Sequence, residues 1–373
     1  MTKMVGLVVG LAMLGCSLQV ARVGASDPDF VPLFVFGGTF VDSGNNNYLD
    51  TTVKADAPPY GIDSPTGRPT GRFSNNRNIP DFISQALKLP EPPTPYLSPQ
   101  LSGERLLYGC NFASAGAGIL NDTGLRLGNI ITIPKQLQAF PQYKNKLGAQ
   151  VAGGREQAER LVNNGVFLLS IVSDDFVNNY YSPPFSSRAS QYTIVEFIEL
   201  LISELSKILL RLNELGARRL LVFGSGEFGC WPALLAIRGT ADGEYCDAEL
   251  LNAASLFNTR LNRLVQQLNG RLGYVFVTAA NAVTISNAIR NNPGAYGFTE
   301  ARVACCGQGP YNGLGQCTPA SNLCPNRDEY VFWDSTNPTD KAEGLFVEGI
   351  LSGPADVVFP INLNTMLAME HES

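Results

Sequence analysis

The chain is nearly devoid of histidine. One His occurs in 373 residues, His371, within the last three positions. That shortage excludes a metal site built on two or three imidazoles. A mechanism that needs a histidine base must recruit His371 from the tail or do without one. Charge is scarce too: charged residues make up 16% and the formal net charge is −6. No basic stripe is visible, so a nucleic-acid partner is not expected. Long apolar runs are almost absent. The single candidate, residues 5–16, falls short of the ~20 residues that span a bilayer, so no membrane span is expected.

That short run reads instead as the centre of a signal peptide over residues 1–25. Lys3 supplies the positive start, and Val23-Gly24-Ala25 offers small residues for cleavage. Losing Lys3 and Arg22 removes two positive charges and takes the net charge from −6 to −8. The remaining segment, 26–373, has no linker-like shift in composition and no internal repeat, and reads as one domain. A hydrophobic fraction of 45% supports a sizeable core and excludes intrinsic disorder.

Secretion permits disulfides. Eight cysteines occur, and Cys16 leaves with the signal peptide. Cys230 and Cys246 are spaced for a local bridge. Cys305, Cys306, Cys317 and Cys324 cluster and suit two bridges of unspecified pairing. A four-cysteine zinc site is the rival reading there, disfavoured because adjacent cysteines chelate poorly and the compartment is oxidising. Cys110 is left over in an apolar segment and reads as a buried free thiol. Asn121-Asp122-Thr123 is a glycosylation sequon.

Short continuous apolar runs at 32–37, 166–172, 219–224 and 274–278 read as buried strands. Helical patterns cover 80–87, 194–215, 247–268 and 338–351. Residues 51–78, rich in Pro, Gly, Asn and Thr, read as a long surface loop. Apolar strands alternating with amphipathic helices imply an α/β protein with a parallel sheet covered on both faces. In such sheets function sits in loops beyond the carboxyl ends of the strands.

Those loops carry a recognisable pattern. Phe36-Gly37-Gly38-Thr39-Phe40-Val41-Asp42-Ser43-Gly44-Asn45-Asn46-Asn47 resembles the first block, F-G-D-S-L-x-D-x-G-N-N, of the plant GDSL esterase/lipases, members of the SGNH hydrolases. Further matches are Gly71-Arg72-Phe73-Ser74-Asn75, the run from Asn111 to Gly118, Ser173-Asp174-Asp175-Phe176, Gly229-Cys230, Cys305-Cys306-Gly307 and the stretch from Cys324 to Asp334. The resemblance covers about residues 30–355. It implies a single three-layer α/β/α domain of flavodoxin-like type, secretion to the apoplast or cell wall, and a small-molecule, lipid or cell-wall ester as ligand. No cofactor and no metal are expected, and the oligomeric state stays open.

The resemblance also implies roles. In the family a Ser nucleophile works with an Asp and a His, and a Ser N–H, a Gly and an Asn form the oxyanion hole. The Ser position is Thr39 here, and the Asp before it is Gly38. The Gly of the oxyanion hole maps to Gly116 and is retained, whereas the Asn maps to Asp174. The catalytic Asp maps to Asp334 and is retained. The His of the family's D-x-x-H maps to Asn337. An amide cannot take a proton near pH 7. Loss of the base in a comparable hydrolase costs about 10⁶-fold. An ionised Asp174 would repel an oxyanion by ~4 kcal/mol at 4 Å and an effective dielectric of 20.

Other groups read as structural. Asp42 and the Asn45 to Asn47 run suit turns and buried hydrogen bonds. Arg68, Arg72 and Arg77 suit local ion pairs. Phe332 and Trp333 suit core or cleft wall. The expectation is a folded, secreted family member with lost or strongly reduced ester hydrolysis and a binding or regulatory role. The alternative is an esterase, lipase or acyltransferase that uses Thr39 with an unconventional base.

Overall fold

The computed structural model describes residues 29–181, 186–240 and 244–369. The expected signal peptide and His371 lie outside the described residues. Among the described residues eight strands form: β1 (Leu33–Gly37), β2 (Gly109–Asn111), β3 (Val166–Ser170), β4 (Arg219–Phe223), β5 (Val277–Ala280), β6 (Cys306–Gly307), β7 (Asn322–Leu323) and β8 (Val358–Phe359). The main sheet has the order β2-β1-β3-β4-β5-β8. β1 to β5 run parallel and β8 is antiparallel at the edge. Every residue of β1, β3 and β5 is buried, which is why these segments carry continuous apolar runs without alternation. The order reverses direction between β1 and β3, the place where doubly wound sheets open a crevice.

Helices cover the sheet in a three-layer α/β/α arrangement. The helix Ile194–Glu214 opens with a capping box: the Thr193 hydroxyl accepts from the Glu196 N–H, and the Glu196 carboxylate accepts from the Thr193 N–H. Its buried stripe, including Phe197, Leu201, Leu205 and Leu212, packs against the helix Ala248–Leu272. Asp247 caps that second helix, and Gly273 ends it in the left-handed region. Elsewhere Ile79–Ala86 packs on Asp340–Ser352, which packs on Leu363–Ala368.

Several boundaries differ from the sequence expectation. The strand expected over 274–278 forms at Val277–Ala280, because Asn269 at the end of the preceding helix bonds the Phe276 and Val277 N–H groups. The strand expected to reach residue 172 stops at Ser170, where the chain turns helical at Val172. Helices that were not anticipated include Ile133–Gln150, Gly154–Asn164, Pro232–Arg238, Ala282–Asn291 and Leu363–Ala368. Pro141 inside Ile133–Gln150 usually marks a break, although Ile133, Phe140, Tyr143 and Leu147 keep one buried face through it.

The largest correction concerns residues 51–78. They do not lie on the surface alone: Ala55, Tyr60, Phe73, Ser74, Asn75 and Asn78 are buried. Tyr60 and Phe73 join Trp333 and the 305–324 cysteines in a second apolar cluster. The polar composition of the loop serves buried hydrogen bonds. Asn78 Nδ2, for example, donates to the Asp42 carbonyl at 3.0 Å. Disulfides join Cys230 to Cys246, Cys305 to Cys324, and Cys306 to Cys317. Cys110 is free and buried.

Two of the three loop arginines form ion pairs that dock this loop. Arg77 bonds Asp340 with two nitrogens at 2.8 Å each. Arg72 grips Asp81 at 2.6 and 2.7 Å, with side-chain exposures of 17% and 6%. Removing one partner of such a buried pair strands the other charge. Arg72→Met should therefore lower unfolding free energy in urea by about 3–5 kcal/mol. Arg155→Ala, in a pair whose arginine is 90% exposed, should change it by less than about 1 kcal/mol. Equal losses in the two variants would contradict the docking role of Arg72.

Candidate active site

The site begins where β1 ends. Gly37 is in register with Ser170 at the end of β3, and the Gly38 N–H donates to the Ser170 carbonyl at 2.8 Å. The chain then tightens into a turn at Thr39–Val41. Gln136, from an unanticipated helix, holds the Gly37 peptide from both sides, accepting its N–H and donating to its carbonyl. Thr39 is thus fixed at the crevice between β1 and β3.

Asp174 meets Thr39 there. It follows β3 on a helical turn, Val172–Asp174, that widens over Asp175–Tyr180, where the Tyr181 N–H reaches back to the Phe176 carbonyl. The Thr39 hydroxyl donates to Asp174 Oδ2 at 3.2 Å. Asn178 Nδ2 donates to Asp174 Oδ1 at 2.5 Å. Burial raises the Asp174 pKa to about 6, and hydrogen bonds from Asn178, the Thr39 hydroxyl and the Thr39 backbone N–H offset part of that rise. Gly116 completes the group, its N–H donating to Thr39 Oγ1 at 3.1 Å.

Gly38 explains how a carboxylate fits at position 174. A Cβ on Gly38 would lie 2.7 Å from Asp174 Oδ2 and 2.7 Å from the Ala117 carbonyl oxygen. The acidic side chain that the family pattern has at position 38 is absent, and a carboxylate at 174 stands against the vacated space. The two positions are sterically one unit. A side chain at 38 and this placement of Asp174 exclude each other.

The Gly116 loop is set by two buried carboxylates. Asp42 accepts from the Ala115 N–H at 3.0 Å and from the Gly44 and Asn45 N–H groups at 2.8 Å each. Asp175 accepts from the Ile119 and Leu120 N–H groups and the Thr123 hydroxyl. Between these anchors Gly116 adopts φ +87°, which a side chain would strain. Asn45 and Asn46 donate to carbonyls of the same loop, at Asn111, Ala113 and Ala115. The structural reading of Asp42 and this asparagine run is thereby borne out.

Asp334 and Asn337 face the same cavity from the late loop. Asn337 Nδ2 lies 2.9 Å from each Asp334 oxygen, and the Asn337 N–H donates at 2.8 Å. The Tyr60 hydroxyl donates at 2.9 Å, and the Thr336 N–H at 3.0 Å. Asp334 is satisfied as a structural acceptor, although burial raises its pKa. Asn337 Oδ1 is buried and has no partner. Thr39, Gly116, Asp174, Asp334 and Asn337 all line one cavity of about 230 Å³. The sequence positions singled out therefore converge in space. Tyr60 and Asn178 were missed, since only their place in the fold brings them to the site.

A second cavity, about 90 Å³, adjoins the first and shares Phe40, Ser173, Trp231 and Thr336 with it. Its walls are mostly apolar, including Phe223, Ile285, Phe332 and Phe346. Trp333, the other aromatic of that loop, is fully buried beneath the site.

A family model described as GDSL-like Lipase/Acylhydrolase matches residues 33–350. The chain belongs to this family. It is 53% identical over 336 residues to the Arabidopsis thaliana protein named GDSL esterase/lipase At5g18430, covering 90% of this chain and 92% of the relative. It is 52% identical over 337 residues to GDSL esterase/lipase LTL1 of the same organism, covering 90% and 91%. No helix among the described residues is long and apolar enough to cross a membrane.

Besides Asp334, three buried carboxylates around the site titrate unusually high. Burial raises Asp42 and Asp174 to about 6 and Asp175 to about 7, from an ordinary value of 3.8. The native state thus holds protons that the unfolded chain has released between pH 4 and 7. Stability conferred by these neutral groups is present at pH 4 and is lost as pH rises through 6 to 7. The melting temperature should fall between pH 5 and pH 7.5. Asp174→Asn should flatten that fall, by about 3 kcal/mol at pH 7.5. A melting temperature that rises over this range, or the same slope in the variant, would contradict the assignment.

Proposed function

We propose that this protein is a secreted GDSL-family member that has lost most ester hydrolysis and acts as a binding or regulatory protein through its retained cleft. The observation that carries this is a carboxylate at the position mapped to an oxyanion donor, with the Gly116 donor already engaged. Asp174 accepts from the Thr39 hydroxyl, and the Gly116 N–H donates to Thr39 Oγ1. An oxyanion donor of this kind is worth about 3–4 kcal/mol. A carboxylate that takes its place adds repulsion to that loss. The position mapped to the histidine base holds Asn337, whose amide is engaged with Asp334.

Residues 1–25 as signal peptide and 26–373 as a single domain belong to the same proposal. Three disulfides support an oxidising compartment, and the apoplast or cell wall is the expected destination. Asn121 is exposed, as a glycosylated residue must be.

A second reading has one specific observation in its favour. Asp174 lies 3.2 Å from the Thr39 hydroxyl and titrates at about 6, so it could serve as the unconventional base for a Thr39 nucleophile. Its weakness is geometric: the same carboxylate stands beside Thr39 at the position mapped to an oxyanion donor.

Turnover of p-nitrophenyl acetate separates the two. On the first reading wild type runs near background, and neither Thr39→Ala nor Asp174→Asn changes it. On the second both variants abolish a real activity. The triple reversion Thr39→Ser, Asp174→Asn and Asn337→His should raise turnover at least about 100-fold if the cleft is otherwise intact. A wild-type rate that collapses in Thr39→Ala would overturn the binding-protein reading.

A further inference from the structure

The ligand class follows from the polarity of the cleft, on the reading that the cleft binds rather than hydrolyses. Among the described residues lining the 230 Å³ cavity there is no Lys, Arg or His. Two carboxylates, Asp174 and Asp334, line it instead. Asn337 is 3% exposed, its amide nitrogen is engaged with Asp334, and its Oδ1 has no partner. A buried acceptor without a donor is costly, and a ligand that brings an N–H relieves that cost. The walls add Phe40, Tyr60, Phe73 and Trp231, whose ring faces attract cations.

The adjoining cavity offers no counter-charge to an anionic head group. Its arginine, Arg290, is paired with Glu227 at 3.2 Å. Its other acid, Glu343, is buried, and burial pushes its pKa well above the usual carboxylate range. The remaining lining is largely apolar and suits a hydrocarbon chain.

We propose that the two cavities form one site for an aliphatic primary amine. The protonated amino group sits in the acceptor-lined cavity between Asp174 and Asn337 Oδ1, and the chain enters the apolar cavity past Phe40 and Trp231. A primary ammonium fits better than a quaternary one, because the unpartnered oxygen needs an N–H. A carboxylate or ester head group would turn its oxygens toward acceptors.

The test is calorimetric titration of the purified secreted protein at pH 7.5 with octylamine, octyltrimethylammonium and octanoate. Octylamine should bind at least about tenfold tighter than octyltrimethylammonium, and octanoate should give no saturable heat. Asp174→Asn should weaken octylamine binding at least about tenfold, and Asn337→Leu should weaken it in the same direction. Melting temperatures of both variants verify that they are folded. Octanoate binding as tightly as octylamine, or an unchanged affinity in folded Asp174→Asn, would overturn the inference. Ester turnover measured on the same preparation keeps the two readings apart. Amine affinity decides the ligand class, and Thr39-dependent turnover decides whether the cleft is a binding site or a catalytic one.

Discussion

The site depends on one contact, the Asp174 carboxylate on the Thr39 turn. It joins the end of β3 to the end of β1 across the crevice of the sheet. A buried carboxylate needs donors, and it finds them in the Thr39 hydroxyl and in Asn178. It also needs room, which the missing side chain at Gly38 provides. The Gly116 N–H then takes Thr39 Oγ1 as its acceptor. The turn at the end of β1 thus presents its hydroxyl to a carboxylate that the protein itself supplies.

Around this contact a separate set of interactions holds the framework. Asp42 and Asp175 pin the Gly116 loop through backbone N–H groups, and Gln136 fixes the Gly37 peptide. Arg72, Arg77 and the disulfides secure the loops that bring Tyr60 and Asn337 to the same cavity. None of these interactions requires catalysis. The residues that hold the loops differ from those that map to the family's catalytic positions.

Much of the fold was legible in the sequence. β1, β3 and β4 are buried on both faces, so their apolar runs are continuous, and the helix Ile194–Glu214 has an unbroken period with its cap in place. Position matching brought Thr39, Gly116, Asp174, Asp334 and Asn337 into one cavity. What stayed hidden was contact between distant segments. Thr39 and Asp174 are 135 residues apart, and no local pattern states that their side chains touch. The burial of Tyr60 inside a polar loop, and the helix that runs through Pro141, were masked by compositions that usually mark surface and break.

The central proposal is that Asp174, together with Asn337 at the position mapped to the histidine, suppresses ester hydrolysis in the cleft. The direct measurement compares two reverted proteins on the same ester. One carries Thr39→Ser and Asn337→His with Asp174 kept, and the other adds Asp174→Asn. The account predicts a double revertant that stays close to wild type and a triple revertant at least about 100-fold faster. Equal activity in the two would contradict it.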